Sequence, residues 1–226
     1  MAQILGKPMI GHVYEQVSRC PLVTDTAVAT CDRIIYDYIL SIQGKAVMTS
    51  SVHERASDRC AEALLALEKQ TRQRFDIVVM VQGDEPMVHP DMINEALEPM
   101  LQDPTILVAN LLAPIHDPQE FEDRNCIKVV CDLQGNALYF SREPIPSRFR
   151  GQTIPMGKQI CIIPFQRDFL LQYNRLPPTP LECAESVDML RVLEHGWKVR
   201  MISTASRTQS VDTPEDLKKV QNLLRG

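Results

Sequence analysis

Residues 77–81 read Ile-Val-Val-Met-Val and run straight into Gln82-Gly83-Asp84-Glu85-Pro86. Five consecutive apolar residues, β-branched but for one, lack the alternation of a half-solvated strand. Such a strand is covered on both faces, and the usual solution is a central parallel strand between two layers of helices. The surrounding chain fits that frame. Helical periodicity is expected over Met9 to Arg19, Ile34 to Ile42, Ser57 to Leu67 and Pro90 to Leu101. Short apolar runs at Ala27 to Ala29, Ala46 to Met48 and Ile106 to Leu112 read as strands between them. The expected fold is therefore α/β, with three layers.

After about residue 125 the texture changes. Ile127 to Cys131 and Ala137 to Phe140 flank Asp132-Leu133-Gln134-Gly135-Asn136, the spacing of a hairpin. A loop with Pro144, Pro146 and Pro155 follows, then a strand over Gln159 to Ile163, a helix over Glu182 to Glu194 and a strand over Val199 to Ile202. The last helix has Thr213 as cap, Pro214 at its first position and Asp216 where a capping box places an acid. The 226 residues suit a single domain over 1–226, with the β-rich segment of about 125–178 inside it.

Charge narrows the function. The net charge is -5 with no basic run, which excludes the concentrated cationic face of a nucleic-acid binder. No apolar stretch is long enough to span a membrane, so no membrane insertion is expected. Seven cysteines, an odd number without Cys-x-x-Cys spacing, argue for reduced thiols in a cytoplasmic protein rather than disulfides or zinc.

Ligands of open α/β sheets bind beyond the carboxyl ends of the strands. Asp84 stands there, beside a glycine that permits a sharp turn, and suits either a Mg²⁺ ligand or a capping turn. Asp212, just before the final helix, is a second metal ligand only if it meets Asp84 in space; alone it reads as a solvated loop acid. Ser57 and Arg59, in the polar run His53-Glu54-Arg55-Ala56-Ser57-Asp58-Arg59, sit at a helix start able to face an anionic ligand or simply to cap. Arg142, at a strand end, suits either a bidentate carboxylate partner or a structural ion pair.

In order along the chain, GKPMIGHVYEQV, VAT, VMTS, HERASDRCAEAL, VQGDEPMV, LLAPIH, IKVV, ALYFSREPIP, LPPTPLECAESVDMLRVLEHG and VDTPEDLKKV resemble the CMP-Kdo synthetase family, the 3-deoxy-D-manno-octulosonate cytidylyltransferases. The resemblance implies a Rossmann-like nucleotide-sugar transferase fold with a mixed, mostly parallel sheet and a small β-rich dimerisation and sugar-binding subdomain. It implies that CTP and the 2-keto-3-deoxy sugar acid Kdo give CMP-Kdo and pyrophosphate for lipopolysaccharide synthesis, with Mg²⁺ as cofactor and a homodimer as the assembly. By motif match, Asp84 and Asp212 take the catalytic metal roles and Gln82 a nucleotide or sugar contact. Ser57 and Arg59 line the nucleotide pocket, and Arg142, Gln159 and Glu182 belong to the sugar and dimer region.

The sequence also departs from the pattern. Gly6-Lys7-Pro8 matches the second of the family's two Gly-Lys-Pro segments, so the first strand and its phosphate loop have no counterpart in these residues. The resemblance then implies lowered activity for the chain as written and an unpaired edge beside residues 77–81. Cys31 replaces an aspartate, Arg55-Ala56-Ser57 replaces Ser-Gly-Thr, and Gln159-Ile160-Cys161 replaces His-x-Gly. Two alternatives stay open: a catalytically impaired member that binds nucleotide, sugar or a partner subunit, and a cytidylyltransferase for 8-amino-Kdo or a sialic-acid-like substrate.

Overall fold

The computed structural model describes residues 1–149 and 156–225, so Pro155 lies outside the described residues. In chain order the elements are β1 (Gln3–Ile4), β2 (Lys7–Pro8), α1 (Met9–Ser18), β3 (Val28–Thr30), α2 (Arg33–Ser41), β4 (Ala46–Met48), α3 (Ala56–Thr71), β5 (Ile77–Val81), α4 (Pro90–Gln102) and β6 (Ala109–Pro114). They continue with α5 (Pro118–Glu122), β7 (Lys128–Cys131), β8 (Ala137–Ser141), β9 (Gly157–Ile160), β10 (Ile162–Gln166), α6 (Arg167–Tyr173), α7 (Pro180–Glu185), α8 (Met189–Glu194), β11 (Arg200–Ser203) and α9 (Pro214–Leu223).

The sheet is mixed, as expected: β5, β6 and β11 run in one direction and β10 runs against them. Parallel pairing joins β3 to β4 and β11 to β6. Antiparallel pairing joins β10 to β5, β6 to β9, and β7 to both β8 and β9. The cause is β10, which returns antiparallel against β5 and touches β6 through a bridge between Val108 and Phe165. The 77–81 strand thus has an antiparallel neighbour where parallel ones were expected. Its side chains face helix layers on both sides, which suits an apolar run; strand direction leaves no such mark.

Two clusters of buried side chains cover the sheet, one on each face. Val13 and Val17 of α1 and Met92, Ile93, Ala96 and Leu97 of α4 pack with Leu111, Ile160 and Ile162. On the other face Leu64 of α3, Phe169 and Tyr173 of α6, and Met189 and Leu190 of α8 pack with Met80, Phe140 and Phe165. Helix, sheet and helix make the three layers.

Local chemistry sets the element ends. Asp132 accepts from the N–H groups of Gln134 and Asn136, and Gly135 adopts φ 81°, closing the β7–β8 hairpin. The Thr213–Asp216 capping box starts α9 as expected. The expected strand over 159–163 is two strands, β9 and β10, broken at Cys161. The expected helix over 182–194 is also two, because Ser186 is left-handed (φ 52°) and ends α7. Ser57 is not a cap either: α3 starts at Ala56 with Arg55 before it, so Ser57 falls in the first turn. No described helix is long and apolar enough to cross a membrane, and all seven cysteines are free.

Candidate active site

The chain leaves β5 at Gln82 and turns at once, because Glu85 N–H donates to the Gln82 carbonyl at 3.3 Å. Gly83 has no left-handed backbone. It is small because α1 is close: a Cβ there would sit 3.2 Å from Ile10 Cδ1. This turn presents Asp84, and the Asp84 carbonyl accepts the Val211 N–H at 2.9 Å. One main-chain hydrogen bond therefore delivers Asp212, 128 positions later, to the side of Asp84.

The electrostatics of the pair are strained in a telling way. Burial pushes the Asp84 carboxyl above its usual range, and the charge of Asp212 pushes it further. Asp84 Oδ1 is buried and has no hydrogen-bond partner. A buried carboxylate oxygen without a donor is costly, and a cation removes that cost. Asp212 is exposed and accepts from the Ser210 hydroxyl at 3.2 Å. Among the described residues no three His, Cys, Asp or Glu side chains converge as a metal cage. Two carboxylates with room for water and phosphate oxygens match the habits of Mg²⁺.

Beneath this pair lies Glu85, which the sequence reading quoted but gave no role. It is 4% exposed and accepts the Cys161 N–H at 3.2 Å. Burial raises its carboxyl to about 7, with Asp84 and Asp212 adding to the rise and Lys158 opposing it. Lys158 is itself paired with Glu120. The only hint of Glu85 in the sequence was its place in the Gln82–Pro86 turn; nothing marked Lys158.

A cavity of about 740 Å³ opens beside the turn. Gln82, Gly83, Asp84 and Arg59 line it, with His53, Glu54 and Arg55 at the same rim. Arg59 is held in place by Thr49 Oγ1 (2.6 Å) and by the carbonyls of Ser50 and His53 (both 3.2 Å). It keeps a fixed positive charge beside the cavity.

Four other expected site residues have structural partners. Ser57 is fully buried and donates to Asp188. Arg142 spends its guanidinium on the carbonyls of Glu185 (2.6 Å), Arg124 (2.9 Å) and Ser186 (3.2 Å), so it clamps loops. Gln159 donates to Asn110 Oδ1 at 2.6 Å. Glu182 is fully buried, bidentate with Arg191 at 2.7 Å, and also paired with Arg55. Asp84, Asp212, Gln82 and Arg59 come together at or beside the cavity; Arg142, Gln159, Glu182 and Ser57 do not line it. Of the substituted positions, Cys31 is exposed, while Arg55, itself partly buried, joins partly buried Asp188 and fully buried Glu182 in a charge cluster.

Comparison with known proteins gives a consistent pattern. A family model described as cytidylyltransferase matches residues 1–202. The 3-deoxy-manno-octulosonate cytidylyltransferase of Trichlorobacter lovleyi is 41% identical over 236 residues, covering 100% of this chain and 91% of that protein. Its counterpart from Geobacter metallireducens is 39% identical over 231 residues, covering 97% of this chain and 89% of the relative. A solved structure of CMP:2-keto-3-deoxy-manno-octonic acid synthetase complexed with CTP superposes with TM-score 0.89 at 36% identity, covering 99% of this chain and 90% of the other. The 4-diphosphocytidyl-2C-methyl-D-erythritol synthase of Anaerococcus prevotii, 13% identical with TM-score 0.65 and coverage of 99% and 92%, shares the fold alone.

Proposed function

The chain belongs to the cytidylyltransferase family, and we propose that it transfers the cytidylyl group of CTP to 3-deoxy-manno-octulosonate, giving CMP-Kdo and pyrophosphate. The observation that carries this reading is the delivery of Asp212 to the unpartnered buried oxygen of Asp84 at the rim of the cavity. The relatives' shared name and the CTP-bound structural relative supply the substrates.

In this reading the sugar-acid hydroxyl forms a bond to the α-phosphorus as the bond to the pyrophosphate oxygen breaks. The protein's task is positioning and charge stabilisation. Mg²⁺, held by Asp84 and Asp212, would supply positive charge to the phosphate oxygens. Arg59 offers a fixed cation to an anionic ligand in the cavity, and Gln82 an amide able to donate and accept. Glu85, whose carboxyl burial raises to about 7 in the metal-free chain, sits next to Asp84 in the same turn.

A cytoplasmic homodimer formed through the segment after about residue 125 belongs to the same reading. Leu133 and Leu138, on that segment, are largely exposed apolar groups, at 101% and 61%. Sedimentation of wild type against a chain with both changed to serine tests the dimer.

The enzymatic test is pyrophosphate release from CTP, Kdo and Mg²⁺ by the purified chain. Turnover abolished by Asp84→Asn and restored to no degree by excess Mg²⁺ is the expected result. A folded wild-type chain with no turnover on Kdo, 8-amino-Kdo or a sialic acid refutes the reading and leaves a binding protein.

A further inference from the structure

Lys158 occupies a position that suits an apolar side chain. On β9 it lies opposite Ala113 and two residues from Ile160, so it leaves the sheet on the face that Leu111, Ala113 and Ile160 turn to the α1–α4 layer. Its side chain is 12% exposed, and its ammonium is paired with Glu120 of α5. Across the sheet, its neighbour Lys128 has its own ammonium engaged by three main-chain carbonyls. Drying an ion pair costs free energy that an aliphatic side chain beside Ala113 would not. Stability alone therefore does not account for a lysine here.

The reach of the side chain does. Residues 204–212 carry Asp212 from the end of β11 to the side of Asp84. Thr204 N–H donates to the Leu112 carbonyl and Val211 N–H to the Asp84 carbonyl, both at 2.9 Å. Between these two points Lys158 Nζ donates to the Thr208 carbonyl at 3.4 Å. The other described hydrogen bonds of residues 205–210 stay within the segment or reach Asp212 and Asp216. Thr208 is 7% exposed and its Oγ1 has no partner, so the inward bend of the segment is held through its main chain. A charged donor strengthens such a contact where water is scarce. The same ammonium opposes the charge of Glu85, which accepts the Cys161 N–H beside Asp84.

We propose that Lys158, clasped by Glu120, is a positioning residue for the metal pair: it anchors the middle of the 204–212 segment to the sheet, so that Asp212 meets Asp84 before a cation arrives. The proposal rests on the reading of Asp84 and Asp212 as a Mg²⁺ pair and adds to it the device that assembles them. Two roles for this lysine predict opposite signs. A positive charge that is merely nearby repels a divalent cation, and its removal tightens metal binding. An anchor keeps the second ligand in place, and its removal weakens metal binding.

The test titrates the metal-free full chain with Mn²⁺ alone, reading free Mn²⁺ by electron paramagnetic resonance, with no nucleotide or sugar present. Lys158→Met should bind Mn²⁺ about 10–100-fold more weakly than wild type, the usual loss when a ligand's support is removed. Lys158→Arg, which keeps a cationic donor, should recover most of that affinity. Amide exchange in the metal-free chain gives the second readout. The Val211 amide of Lys158→Met should exchange at least about tenfold faster, while the Gln82 amide, bonded to the Cys161 carbonyl, keeps its rate. Equal or tighter Mn²⁺ binding by Lys158→Met overturns the proposal, and so does faster exchange at Gln82 and Val211 alike. If Lys158→Met does not fold, Lys158→Gln, shorter in reach, is held to the same two results. A wild-type chain that binds Mn²⁺ no better than Asp84→Asn overturns the metal reading and this proposal together, so the two failures are told apart.

Discussion

Replacing Glu182 with alanine removes the centre of a buried charge cluster. Glu182 is fully buried, and both its oxygens accept from Arg191 at 2.7 Å. It also accepts the Thr179 N–H at 3.1 Å and pairs with Arg55. Without it, Arg191 keeps only the Leu176 carbonyl at 3.2 Å and the Tyr173 ring 4.8 Å away. The Arg191 side chain is 4% exposed, so water cannot replace the lost carboxylate. Breaking one partner of such a pair costs about 3–5 kcal/mol. For a chain of this length that is a fall in Tm of about 6–20 °C. Urea unfolding at pH 7 measures the free energy directly. The partner substitution Arg191→Met, made in both backgrounds, reads the coupling. The KM for CTP and sugar acid of the folded fraction should change less than about twofold, because Glu182 does not line the cavity. A loss below about 1 kcal/mol refutes the buried-cluster account. A large rise in KM at unchanged stability would return Glu182 to the substrate site.

Lys128 is fully buried and donates to the carbonyls of Asp123 (2.7 Å), Cys126 (2.7 Å) and Arg142 (2.5 Å). Lys128→Met strands three carbonyls and should cost about 3 kcal/mol, read by chemical unfolding. At Gly157 a Cβ would lie 2.6 Å from Leu112 Cδ1. Gly157→Ala should therefore destabilise by about 1–3 kcal/mol, and Leu112→Ala in the same chain should recover part of the loss. In the metal-free chain, the rise of Glu85 from 4.5 to about 7 means that the folded state holds a proton the unfolded state releases. That contribution, about 3 kcal/mol, is full below pH 4.5 and lost as pH climbs through 7. Glu85→Gln should flatten the fall between pH 5 and 8 in the presence of a chelator; an unchanged slope assigns the pH dependence elsewhere.

The parts of the fold legible in the sequence are those set by local chemistry. Ile77–Val81 and Ala46–Met48 match their strands end to end, and the capping box of α9 is where Thr213, Pro214 and Asp216 place it. The breaks were not legible. Cys161 sits inside an unbroken apolar run, and what divides β9 from β10 is the change of partner from β6 to β5. Ser186 enters a left-handed turn that helical periodicity passes over. The pairing of Asp84 with Asp212 was conditional in the sequence, since nothing local announces the Val211 hydrogen bond. The structural partners of Arg142 and Glu182 were not legible for the same reason: the carbonyls and counter-ion they meet lie elsewhere along the chain.

The bond from Val211 to Asp84 makes the Asp84–Asp212 pair a late arrival during synthesis. Every strand of the sheet has left the ribosome by Ser203, yet the second carboxylate is still to come. The tail that brings it is fastened at its far end, where Gln221 donates to the Gln3 carbonyl at 3.0 Å. Proteolytic removal of the residues after 205 would therefore leave every described strand in place and take away α9 and Asp212, and in the proposed reading such a species is silent in turnover.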